Sequence, residues 1–252
     1  MFESQVLSDS IIKEKEIKKI NTLLNKSIYS QHERVALACH ILFNSGHDSC
    51  LSGQITAKVE DDLYITQTLG WGFDEVTVSN LLTVDSNLDV IEGDGIPNPA
   101  NRFHSWIYNL RPDVNCILHT HAQYTSALSM LGIPLEISHM DCCILYDDVA
   151  YLEQWPGVPI SNSEGDIISS ALGDKNALLL GHHGLITVGR SIEEATCLAL
   201  VFEKAAKLQL LALSAGEIKK IDFSLGIEAR EWLKLDARIS ATFNYYVRRV
   251  LS

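Results

Sequence analysis

Apolar positions recur at helical spacing over the first forty-odd residues. Ile12, Ile17, Ile20 and Leu23–Leu24 form one stripe, and Val35, Ala38, Cys39 and Leu42 form the next, closed by Asn44-Ser45-Gly46. The period then becomes strand-like in Gln54–Val59 and Leu63–Thr66, joined by the polar turn Glu60-Asp61-Asp62, and again in Leu81–Val84. Residues 93–99, Gly-Asp-Gly-Ile-Pro-Asn-Pro, hold too many breakers for regular structure and predict a loop. Further on, the pattern predicts a helix over Asn101–Leu110, a strand over Asn115–His121 and a helix over Gln123–Met130, then extended chain over Pro134–Leu145 and Val149–Leu152. Ser163, with Asp166 three residues on, starts a helix that should stop at Gly173.

Ala177–Leu180 is an apolar strand that runs into Gly-His-His-Gly and resumes at Leu185–Val188. Ser191 and Glu194 make a capping box, each side chain satisfying an orphan amide at a helix start, and that helix runs to Gly216. The last thirty-odd residues give one or two more helices. Helices and strands mix without strict alternation, and no glycine-rich nucleotide fingerprint occurs, so the fold class is α/β with one sheet covered by helices. The chain divides into an N-terminal helical extension (1–32), a main domain (33–215) and a C-terminal helical tail (216–252) packed on it.

Composition narrows the functional classes. A chain of 252 residues with 46% hydrophobic content can bury a full core. Its formal charge of −12 disfavours a nucleic-acid partner, because phosphate repulsion is offset by no basic stripe. The lysines near residues 13–19 alternate with glutamates and isoleucines, as on a solvated amphipathic helix. The six cysteines show no Cys-x-x-Cys pair, the N-terminus has no signal-peptide pattern, and no apolar run approaches a membrane span. These features predict a cytoplasmic protein with no membrane partner.

Candidate chemistry centres on histidine. His119 and His121 are two apart on a predicted strand, so both imidazoles face one side; His183, flanked by glycine, can supply a third nitrogen. Three neutral imidazoles with an open fourth position suit Zn²⁺, with Fe²⁺ or Mn²⁺ as alternatives. His182, next to His183 on extended chain, should point away. His104 lies on the helix beside the metal strand. His139 and Asp141 share strand parity, so both should face the same side of their segment. Asp147 and Asp148 look like turn residues, Asp74 and Glu75 are weaker candidates, and His32, His40 and His47 show no partner pattern.

The order Arg-Phe-His, Arg-Pro-Asp-Val-Asn-Cys, Ile-Leu-His-Thr-His, Leu-Leu-Leu-Gly-His-His-Gly-Leu-Ile and Ser-Ile-Glu-Glu-Ala resembles the class II aldolase/adducin superfamily over about residues 33–215. The resemblance implies a single domain with a mainly antiparallel sheet between helix layers, a divalent metal on His119, His121 and His183, and a homo-oligomer, commonly a tetramer. A C-terminal segment carrying Trp232, Phe243, Tyr245, Tyr246 and Val250 adds to the expectation of assembly. The family's sugar-phosphate aldolases carry Ser-Ser-Glu before Arg-Phe-His, its glutamate acting as acid/base. Here that segment is Asn98-Pro99-Ala100, and the second phosphate loop, glycine-asparagine in the family, is Gly53-Gln54. The resemblance places the His139–Asp141 segment near the site, where Asp141, assisted by His139 or His104, would move the proton in place of the lost glutamate. It thus implies a metal-dependent carbon–carbon lyase for a small hydroxy- or oxo-acid that need not be phosphorylated. An iron-dependent oxidative decarboxylase and a non-enzymatic adducin-like binding module are its rivals.

Overall fold

The computed structural model describes residues 9–22, 27–158 and 161–252; the predicted Leu23–Leu24 end of the first stripe lies outside them. One eight-stranded sheet organises the chain. Its strands are β1 (Gln54–Glu60), β2 (Leu63–Gln67), β3 (Leu81–Val84), β4 (Val90–Glu92), β5 (Cys116–Thr120), β6 (Val149–Leu152), β7 (Ala177–Leu180) and β8 (Leu185–Gly189). They lie in the order β4-β3-β2-β1-β5-β8-β7-β6, and every neighbouring pair is antiparallel except β6 with β7. The mainly antiparallel α/β sheet expected from the family resemblance is therefore present. The strand β4 carries no alternation and is exposed at all three positions, which is why the pattern did not announce it.

The helices are α1 (Asp9–Asn21), α2 (Gln31–Asn44), α3 (Arg102–Leu110), α4 (Gln123–Ser129), α5 (Asn162–Leu172), α6 (Ile192–Ala215), α7 (Phe223–Leu233) and α8 (Asp236–Val250). Alternation along β5 assigns the two sides of the sheet. Cys116 and Leu118 enter a core with Leu37 and Ile41 of α2, Leu198 and Phe202 of α6 and Phe243 of α8. Ile117 enters a second core with Phe103 and Ile107 of α3 and Ile168 of α5. Since β5 sits between β1 and β8 and is buried at all five positions, both cores press on the strand that carries His119.

One expectation is corrected. Residues Met140–Leu145 are not extended but form a 3₁₀ turn whose N-cap is His139. Cys142, Cys143, Ile144 and Leu145 follow one another without alternation and are all buried in the α2/α6 core, a demand that a one-faced strand cannot meet. Of the C-terminal residues offered for assembly, Phe243 alone is buried; Trp232, Tyr246 and Val250 are half-buried and Tyr245 is exposed. Phe243 is buried in the chain's own core and Tyr246 and Val250 pack against it, leaving Tyr245 the most open.

A glycine reports how tightly α3 and α5 pack. Gly165 lies within α5, where Gly→Ala would ordinarily stabilise a helix by about 1 kcal/mol. A Cβ at this position would stand 2.4 Å from the Trp106 ring of α3. Overpacking of that kind costs about 1–3 kcal/mol, so Gly165→Ala is expected to lower the urea midpoint of unfolding. A raised midpoint would refute the close helix contact.

Candidate metal centre

The centre is assembled from the end of β5 and the turn between β7 and β8. His119 shares the parity of Ile117, and its ring meets Phe103 edge-on at 5.7 Å between centroids, on the α3 side of the sheet. The register sets His119 opposite Ile186 of β8, which brings the β7–β8 turn alongside. In that turn Leu180 N donates to Gly184 O and His183 N donates to Leu180 O. His182 takes φ +56°, a left-handed conformation that turns its side chain out to solvent, while His183 turns inward. Gly184 is there for close approach: a Cβ would stand 2.3 Å from Thr120 O and 2.9 Å from the His121 ring.

The three rings pack with centroids 4.6–4.8 Å apart. Among the described residues, His119, His121 and His183 form a group in which one ring nitrogen from each lies within 4.8 Å of those of the other two. His119 is buried and the other two are half-buried. His119 Nδ1 lies 2.8 Å from Leu185 O. A carbonyl can only accept, so Nδ1 carries the proton and, in a neutral ring, Nε2 keeps its lone pair. Burial, with the neighbouring His183 and His121, holds the His119 pKa well below the usual histidine range. Burial also depresses His121, and it lowers His183 to about 4.

His119 Nε2 and His121 Nε2 are 3.0 Å apart. Two lone pairs cannot face each other at that distance without a proton or a cation between them. Three neutral imidazoles, with His119's tautomer set from behind by a backbone carbonyl, make the donor set of a divalent metal site, and the residues present fit such an ion.

Residues that the sequence pattern did not single out complete the surroundings. The loop before β1 folds over the end of β5, where His121 N donates to Ser49 Oγ at 2.8 Å. His47 is fully buried with Nδ1 2.8 Å from Thr120 Oγ1, and burial lowers its pKa to about 3. The Trp155 ring, half-exposed, stands 6.4 Å from the His183 ring at the open side. None of these contacts carries a local sequence signal, because each joins segments more than 25 residues apart.

The residues proposed for proton transfer separate. His104 is buried on α3 with Nδ1 2.7 Å from Thr56 Oγ1, its Nε2 has no hydrogen-bond partner, and burial lowers its pKa to about 3. It shares the triad's side of the sheet, and its ring meets Phe103. Within this chain, His139 and Asp141 do not sit beside the triad. Their 3₁₀ turn belongs to the α6 side, where Asp141 pairs with Lys204 at 2.7 Å, and that ammonium holds its carboxyl below the usual range. Strand parity does not apply to them, because the segment is a 3₁₀ turn and not a strand. Asp148 is buried and accepts from Asn176 and Lys234, Asp147 is exposed in a positive-φ turn, and Asp74 and Glu75 sit on an exposed loop.

Comparison with known proteins fits this architecture. The class II aldolase and adducin N-terminal domain matches residues 33–210. The chain is 28% identical over 188 residues to the meiotically up-regulated gene 14 protein of Schizosaccharomyces pombe, covering 73% of each chain. It is 29% identical over 203 residues to decarboxylase NovR of Streptomyces niveus, covering 77% of this chain and 75% of the other. The solved L-fuculose 1-phosphate aldolase of Glaciozyma antarctica PI12 superposes with a TM-score of 0.82 at 29% identity, over 92% of this chain and 95% of that one. The sequence match spans more than half of the chain and the structural match nearly all of it, so this protein belongs to the class II aldolase and adducin family.

Proposed function

We propose that the chain is a divalent-metal-dependent carbon–carbon lyase, of aldolase or decarboxylase type, acting on a small hydroxy- or oxo-acid and not on a sugar phosphate. The observation that carries this reading is the convergence of three neutral imidazoles, His119, His121 and His183, within 4.8 Å. These residues would hold Zn²⁺, with Fe²⁺ or Mn²⁺ as the alternatives. Such an ion supplies Lewis acidity toward a carbonyl or carboxylate oxygen of the substrate.

The chain's own groups do the rest. The Leu185 carbonyl keeps the His119 proton on Nδ1, and Ser49 holds the His121 backbone. Phe103 packs apolar surface against His119 from below, while Trp155 flanks the entrance beside His183. His104 is the one proposed proton carrier that shares the triad's side of the sheet, its ring is held neutral by burial, and its Nε2 has no hydrogen-bond partner. We propose a cytoplasmic homotetramer as the assembly, following the family resemblance; no helix among the described residues is long and apolar enough to cross a membrane.

The exclusion of sugar phosphates rests on both loops. Neither Gly46–Gln54 nor Gly93–Asn101 contains a lysine or arginine, and each contains an aspartate. Gly53 is covered by Phe73, whose ring would stand 3.0 Å from an added Cβ. Asn98 spends its Oδ1 on capping Ala100 N, and Ala100 offers no carboxylate for acid–base work. A second reading, iron-dependent oxidative decarboxylation, is supported by the similarity to a protein named a decarboxylase and by the same missing carboxylate.

Two measurements test this reading. Protein loaded with Zn²⁺ should cleave fuculose or ribulose phosphates at least about 10²-fold more slowly than a glutamate-bearing relative, since general acid–base help contributes about 10²–10⁴-fold. Brisk sugar-phosphate cleavage would overturn the substrate class. Carbon dioxide release from an oxo-acid that needs Fe²⁺ and consumes O₂ would select the second reading, whereas turnover with Zn²⁺ under nitrogen selects the first.

The depressed histidines also set a pH signature. In the unfolded chain each titrates near about 6.5, whereas in the fold His183 is lowered to about 4 and His47 and His104 to about 3. The native state thus binds fewer protons than the unfolded one between those values. Stability from these groups is complete above about pH 6.5 and is lost as pH falls through about 4 for His183 and about 3 for His47 and His104. The thermal midpoint of metal-free protein should decline from about pH 6.5 downward, and a midpoint unchanged from pH 7 to pH 5 would contradict the neutral, buried assignment.

A further inference from the structure

A buried carboxylate outside the histidine cluster has an unusual set of partners. Glu203 lies in the middle of α6 and is 7% exposed. One of its oxygens accepts from Tyr124 N at 2.8 Å; the other accepts from Thr125 N at 2.8 Å and Thr125 Oγ1 at 2.7 Å. All three donors belong to the first turn of α4. That helix begins after Ala122, which has no side chain able to cap it. Its orphan amides are therefore satisfied from another element, by a carboxylate placed at the positive end of the helix dipole.

The position of α4 matters because two metal histidines hang from it. His121 is the residue immediately before its N-cap, so the direction in which the chain leaves β5 and enters α4 sets the His121 Cα. At the same time α4 grips the β7–β8 turn: His182 N donates to Ser129 O at 3.0 Å, and Ser126 Oγ donates to His183 O at 3.4 Å. The third ligand, His119, is held separately by the sheet and by Leu185 O. A displacement of α4 against α6 would therefore move His121 and His183 while leaving His119 in place. The bonds from Glu203 are direct hydrogen bonds opposing that displacement.

We propose that Glu203 is a positioning residue for the histidine triad, clamping α4 so that His121 and His183 meet His119. The proposal rests on the reading of the triad as a divalent-metal site, but the clamp has consequences for ring placement with or without an ion. Glu203 touches no histidine and no reacting atom; it acts entirely through backbone amides. Glutamine is nearly isosteric here but turns an amide donor toward a cluster of three donors. Removing a partner that orients metal ligands typically costs about 10–100-fold in metal affinity.

The test uses the full chain and Zn²⁺ alone as the probe. Zn²⁺ affinity is measured by competition with a chromophoric chelator for wild type and Glu203→Gln, and histidine ring signals of the metal-free proteins are compared by NMR. The expected result is a 10–100-fold loss of Zn²⁺ affinity with native circular dichroism. It is accompanied by shifted or broadened His121 and His183 signals and unchanged His47 and His104 signals. Wild-type affinity, within twofold, and unmoved signals in a folded variant would overturn the proposal. If wild type itself takes up no Zn²⁺, the metal reading fails, and the ring signals alone decide whether Glu203 positions the histidines. Should Glu203→Gln not fold, Thr125→Val removes one of the three bonds and is read in the same way. A smaller loss in the same direction supports the clamp, and no change opposes it.

Discussion

The hydrogen bond from His119 Nδ1 to the Leu185 carbonyl joins the sheet to the chemistry. It exists only because β5 and β8 are paired in one register, with His119 opposite Ile186 and Thr120 opposite Leu185. That pairing does two things at once. It sets the tautomer of the first ligand, and it brings the β7–β8 turn to the end of β5, where His183 can reach the other two rings. A one-residue slip would turn His119 into the opposite core and leave a charged-ligand site with no first member.

Burial then does the electrostatic work. All three imidazoles lie in surroundings that penalise protonation, and each positive ring would further disfavour its neighbours. The cluster is therefore poised as a set of lone pairs instead of a patch of positive charge. A protein with no use for those lone pairs would gain by pairing or solvating them, since buried unpartnered polar groups cost free energy. His47 and His104, equally depressed, flank the triad from opposite sides of the sheet and bond to threonines on β5 and β1. Histidine here serves as much for rigid, neutral hydrogen bonding as for ligation.

Much of this was legible in the sequence, and the parts that were not share a cause. Strand parity put His119 and His121 on one face, and the glycines beside His183 announced the tight turn that presents it. The cap at Ser191 and the stop at Gly173 located α6 and α5 because those signals are local, although the Glu194 carboxylate accepts from Arg190 N and not, as a capping box requires, from Ser191 N. Met140–Leu145 was misread as extended because a run of buried residues reads equally as strand or as 3₁₀ turn, and only α6 decides between them. Ser49, Trp155 and Glu203 act across long sequence separations, which no periodicity records. Glu203 did leave a trace: a carboxylate between Ala199 and Ala206 on a buried helical face needs partners, and the missing cap at Ala122 is where they are found.

The central claim is that the three rings form one divalent-metal site. Its most direct test is anomalous diffraction from crystals of the protein loaded with Zn²⁺, recorded on both sides of the zinc absorption edge. The account predicts a single strong anomalous peak bonded to nitrogen atoms of His119, His121 and His183, at about 2.0–2.1 Å from each. Zinc bound elsewhere, with the three rings holding only a shared proton, would contradict it.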